Sequence, residues 1–114
     1  MNEQVVRTAA ESFAATLLAG DIDAATAALS RELRSNMGEV VMLLPLPLVE
    51  ATVESVEAAG SGYLAVLWLV GEKQAVRLQT RWKERDGEPT IVEVSHIAEP
   101  VPPPSPEETP EASG

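Results

Sequence analysis

The eight residues from Tyr63 to Val70 are apolar at every position. The run is far shorter than the roughly 20 residues that cross a bilayer as a helix. It lies between Gly62 and Gly71 and is rich in branched and aromatic side chains, so it reads as a strand. A strand sends alternate side chains to opposite faces. One that is apolar throughout must therefore be covered on both faces. The helices of the same chain can supply one cover. Leu43, Leu44, Leu46 and Leu48 can fold over part of the other face, or a second subunit can. We expect a two-fold homodimer through the sheet, with Tyr63, Ala65, Leu67 and Leu69 at its interface.

Around this strand the chain is clearly punctuated. Val6, Ala10, Phe13 and Leu17 recur at helical spacing, which predicts a first helix over residues 4–19. Gly20 can close it in the left-handed conformation, and Asp21 stands where an N-cap is wanted. A second helix is expected from there to about Ser35, with Ile22, Ala25, Leu29 and Leu33 on its apolar face and Arg31 and Arg34 in its last turn. Glu39 to Leu44 is a candidate third, short helix, ended by Pro45 and Pro47. Four strands follow, at about 49–58, 63–70, 73–84 and 90–97. Val49, Ala51 and Val53 alternate with polar residues, and Val56 breaks the alternation, so a bulge is expected there. Gly60-Ser61-Gly62, Gly71-Glu72 and Asp86-Gly87 are turn signals, and such short connections imply an antiparallel meander.

The fold class is thus α+β: two to three N-terminal helices packed on a curved antiparallel four-stranded sheet. It occupies residues 1–98 as one domain. Residues 99–114 hold six prolines, four glutamates and a single bulky apolar residue, Val101. That composition predicts a disordered Pro/Glu-rich tail, since too little apolar surface is present to offset the entropy of ordering.

Charge and composition exclude several function classes. The net charge of -10 repels nucleic acid and anionic membranes, so neither is expected as a partner. With no cysteine, thiolate metal sites and cysteine nucleophiles are absent. No cofactor or metal is expected. Met1-Asn2-Glu3-Gln4 lacks the basic start of a signal peptide, which points to a cytoplasmic protein.

A helix, then Ala19-Gly20-Asp21-Ile22-Asp23-Ala24-Ala25, then a second helix and strands closing on Asp86-Gly87-Glu88-Pro89-Thr90-Ile91-Val92-Glu93-Val94 resembles the nuclear transport factor 2-like superfamily, which includes SnoaL-like cyclases and ketosteroid isomerase relatives. Gly20-Asp21, Asp86-Gly87 and Ile91 fit its pattern, whereas Pro89 stands where an aromatic residue is usual. The resemblance covers about residues 4–97. It implies a cone, with the sheet wrapped around the helices, and pairing through the outer sheet face. The superfamily hosts enzymes, ligand binders and adaptors, so the resemblance does not settle function.

Under that fold, Phe13, Leu17, Val76, Leu78 and Trp82, together with Val92, Val94 and His96, would line the inside of the cone. They would form either a packed core or an apolar pocket for a hydrophobic small molecule. His96 is the only histidine and the one candidate catalytic base, but no acid is placed to partner it, since Glu93 alternates to the other face. Tyr63, the only tyrosine, opens a strand and does not match the position used by the isomerase relatives. Five of the eight basic residues fall between Lys73 and Arg85, on a strand whose other face is Val76, Leu78, Thr80 and Trp82. They form either an anion track, on which the acidic tail could rest, or cross-strand partners for Glu50, Glu54 or Glu93. The leading expectation is a small dimeric, non-catalytic binding or interaction module. The alternative is a SnoaL-like isomerase, cyclase or hydrolase acting on a hydrophobic small molecule.

Overall fold

A computed structural model describes residues 1–104 of the chain. Four helical segments precede a four-stranded antiparallel sheet among the described residues: α1 (Glu3–Ala19), α2 (Ile22–Thr26), α3 (Arg31–Arg34), α4 (Met37–Met42), β1 (Leu48–Ala59), β2 (Gly62–Gly71), β3 (Ala75–Arg85) and β4 (Glu88–His96). The strands lie in the order β1-β2-β3-β4, so the fold is α+β in class and the sheet a meander in topology.

Helix α1 forms where its periodicity requires. Val6, Ala10, Phe13, Ala14 and Leu17 are buried along one stripe, and the helix packs mainly on β1. The Asn2 side chain accepts from Val5 N–H at 2.9 Å and caps its start. At its end Gly20 has φ 77°. The Gly20 N–H donates to Leu17 O and the Asp21 N–H to Thr16 O, the paired bonds of a Schellman closure. Asp21 then caps α2, accepting from Ala24 N–H at 3.1 Å.

The second helix is not continuous to Ser35. It stops at Thr26, and Leu29 is extended, bridging Ile91 of β4 in parallel. Ser30 N–H donates to Ile91 O and Ile91 N–H to Ala28 O, both at 2.8 Å. The open edge of β4 thus takes the backbone groups that a helix would have paired internally. Ser30 restarts the helix as the cap of α3, its hydroxyl accepting from Leu33 N–H at 3.2 Å. That is the role serine favours over a helix interior. The short helix expected at 39–44 forms two residues earlier, as α4.

Three irregularities set the phase of the outer strands. In β1 the pairing slips between Leu48 and Glu50, leaving Val49 over, and again between Val53 and Ser55, leaving Glu54 over. Val53 then faces Leu67 and Val56 faces Ala65, so two residues three apart both point inward. In β4 the slip falls at Val92, because Arg81 pairs with Glu93 and Trp82 with Ile91. Ile91 is therefore fully buried, and Val92 does not share the alternation of Val94 and His96. The β3–β4 hairpin turns on Asp86 (φ 54°) and Gly87 (φ 80°), both left-handed, as a two-residue turn matched to strand twist requires.

Past β4 the chain stays attached for a few residues. Ala75 N–H donates to Val101 O at 2.7 Å and Val101 N–H to Ala75 O at 2.9 Å. This bridge occupies the edge of β3 that β4 leaves open. The remainder of the expected tail, 105–114, lies outside the described residues.

The core holds one buried polar chain. Trp82 Nε1–H donates to Thr80 Oγ1 at 2.8 Å, and the Thr80 hydroxyl donates to Ala65 O at 3.0 Å. Both side chains are at 0% exposure. Thr80→Val keeps the shape but strands the indole N–H. It should lower stability by about 1–3 kcal/mol in urea unfolding, while Thr80→Ser should retain most of the polar chain's contribution.

Candidate functional site

The inner and outer faces of the sheet are separate candidate sites. The residues expected to line an internal pocket do converge on the inner face. Phe13, Leu17, Val76, Leu78 and Trp82 belong to one buried cluster, and Val94 packs against it. Val92 sits at the β4 slip, half-buried. A cavity large enough for a water molecule would leave accessible surface on its walls. The five clustered residues keep between 0% and 4% of theirs. The volume they enclose is occupied by their own side chains, as close-packed interiors are.

Ala65, Leu67 and Leu69, expected at a subunit interface, are also at 0% exposure in the single chain. They are core residues, with no surface left to offer a second subunit. Tyr63 is half-buried beside them. Strand parity explains the reversal. Leu69 pairs with Val76, Leu67 with Leu78, Ala65 with Thr80 and Tyr63 with Trp82. Paired residues share a face, and the apolar set of β3 faces the helices. The outward set of β2 is therefore Leu64, Val66, Trp68 and Val70. An unbroken apolar run conceals this choice, but the alternation of β3 carried through the β2–β3 turn contains it.

On the outer face Leu64, Val66 and Trp68 are half-buried, and Val70 is buried. Trp68 lies under the Arg77 guanidinium, 4.5 Å from ring centroid to Cζ. Arg77 Nε and Nη2 in turn donate to the two carboxylate oxygens of Glu54 at 2.8 and 3.1 Å. The fork fixes the guanidinium plane over the indole. On the same strand Arg81 Nε donates to Glu93 at 3.1 Å. So the central cations of the basic stripe are neutralised across strands, by two of the carboxylates considered from sequence. A central apolar strip flanked by ion pairs is the result.

His96 ends β4, half-buried, opposite Leu78. Its Nε2 lies 2.8 Å from Leu43 O. A carbonyl can only accept, so Nε2 carries the proton in this bond. The imidazole ties the end of the sheet to the segment after α4. No carboxylate is paired with it among the described residues. Among those residues no three His, Cys, Asp or Glu side chains are grouped to hold a metal ion, and no helix is long and apolar enough to cross a membrane.

No protein-family model, no curated protein and no solved structure matches this chain.

The geometry of His96 sets an expectation for its removal. His96→Ala should lower stability by on the order of 1 kcal/mol in urea unfolding, the usual worth of one such bond. His96→Gln, which keeps an N–H donor, should recover part of it.

Proposed function

We propose that the chain is a small, non-catalytic interaction module of the nuclear transport factor 2-like kind, working as a homodimer joined through the outer face of a curved sheet. One observation carries this reading: Leu64, Val66 and Trp68 form an apolar strip at the centre of a sheet whose other face is already filled. A strand apolar on both faces needs a cover on each. Here α1 and its neighbours cover the inner side, and long side chains such as Arg77 only partly cover the outer. A second copy, placed on a two-fold axis over this strip, would complete the cover. The two ion pairs beside the strip suit the polar rim of such an interface.

The filled interior favours a partner-binding role over one in which an apolar small molecule is held inside the cone. It also weighs against the isomerase, cyclase or hydrolase alternative, which needs an ionisable pair beside a cavity. His96 is engaged with Leu43, and the Thr80 hydroxyl is engaged with Ala65 and Trp82.

Sedimentation velocity on the full chain tests the proposal. A dimer is expected at micromolar concentration. It should tighten as salt is added, since each chain carries a net charge of -10 and screening relieves the repulsion between copies. Val66→Glu and Trp68→Glu should give monomers with unchanged circular dichroism. A wild-type monomer under all these conditions, or a dimer that survives both substitutions, overturns it.

A further inference from the structure

Three of the eight basic residues gather away from the outer sheet face. Arg31, Arg34 and Arg85 line an open cleft of about 410 Å³ between α3 and the β3–β4 hairpin. Its other walls include Ala27, Leu29, Ser30 and Thr90, with the carboxylates of Glu32 and Asp86. Arg31 and Arg34 are three apart on one helical turn, so they share a side of α3. The Leu29–Ile91 bridge holds that turn against the hairpin bearing Arg85.

The charges in the cleft are not consumed by each other. The ion pairs among the described residues are Met1 with Glu84, Arg77 with Glu54 and Arg81 with Glu93. None involves Arg31, Arg34 or Arg85. The Glu32 carboxyl is held below the ordinary carboxylate range chiefly by its own backbone N–H. Desolvation opposes this, while the Ser30 hydroxyl, Arg85 and Arg31 assist it. Glu32 is thus served mainly by the backbone, with the arginines near but not bound to it.

In a chain of net charge -10, three arginines lining one cleft, none of them in an ion pair among the described residues, call for an anion. Each guanidinium presents five N–H donors in a planar fork. Three such forks exceed what the two oxygens of a carboxylate can accept, whereas a phosphate monoester offers three terminal oxygens. The cleft is larger than a phosphate group and falls in the ~300–1,000 Å³ range of small-molecule sites. The carboxylates of Glu32 and Asp86, as acceptors, suit an organic part that carries hydroxyl groups.

The geometry points to a binding site for a small phosphorylated, hydroxyl-bearing molecule in the cleft between α3 and the β3–β4 hairpin, with Arg31, Arg34 and Arg85 clasping the phosphate. The site is independent of the dimer proposed above and should persist in the Val66→Glu monomer.

Isothermal titration calorimetry at low ionic strength tests this, with inorganic phosphate, glucose 6-phosphate and glucose as probes for the full chain. Phosphate should bind saturably, glucose 6-phosphate more tightly, and glucose not at all. Arg31→Gln, Arg34→Gln and Arg85→Gln should each weaken binding about tenfold, near 1.4 kcal/mol. All three side chains are exposed, so the fold should survive, with unchanged circular dichroism as the control. Arg77→Gln, on the other face, should change nothing. Absence of saturable phosphate binding, or binding unaltered in the triple arginine variant, overturns the site. Inorganic phosphate binding as tightly as glucose 6-phosphate overturns its recognition of hydroxyl groups.

Discussion

Strand β2 is apolar on both of its faces and lies inside the sheet, between β1 and β3, and the remaining elements are arranged around that constraint. Its odd-numbered side chains need a partner layer, and the buried stripe of α1 supplies it. The neighbouring strands must then turn their own apolar residues to the same side. Neither β1 nor β4 carries a clean alternation that would allow this. They solve the problem with slipped positions, at Val49 and Glu54 in β1 and at Val92 in β4. Each slip forgoes one regular ladder position, and in return two residues three apart reach the core. Burying those two side chains outweighs one imperfect pairing, because backbone groups at a slip can still be satisfied by water or neighbours whereas a charged side chain turned into an apolar core is costly.

Electrostatics follow packing. A strongly acidic chain would ordinarily leave its few cations scattered. Here five of the eight take one of two roles. Arg77 and Arg81 project from the outward side of β3, within reach of Glu54 on β1 and Glu93 on β4, and they become cross-strand partners. Arg85, at the end of the same strand, is carried past the last pairing into the hairpin, beside Arg31 and Arg34. Position along one strand thus separates cations that organise a surface from cations that remain available.

Local signals are legible in the sequence where a single turn or helix determines them. The α1 stripe, the Gly20-Asp21 junction and the left-handed Asp86-Gly87 turn follow from nearest neighbours in the chain. The break in the second helix is not legible in the same way. Ala24 to Leu33 has good helical propensity, and what overrides it is a tertiary bond from Ile91. Only Ser30, a poor interior residue and a good cap, marks the place. The choice of inward face on β2 is present but easily misread. The run from Tyr63 to Val70 has no period of its own, and the answer lies in the parity of β3. Alternation puts Val92 on the inner face only when it is carried through a position where the ladder slips. The candidate anion cleft has no sequence signature, since α3 and the β3–β4 hairpin are brought together by the long-range Leu29–Ile91 bridge.

That bridge also governs how the chain is assembled. Residues 21–35 are synthesised before β4, and Ser30 alone in their own composition marks a break in the helix. Leu29 and Ile91 stand 62 residues apart in the chain, so Ala28 and Ser30 find their backbone partners only once β4 is in place. A contact of such wide sequence separation forms late and slowly compared with local ones. The arginine-lined cleft, which depends on it, is therefore among the last features of the molecule to come into existence.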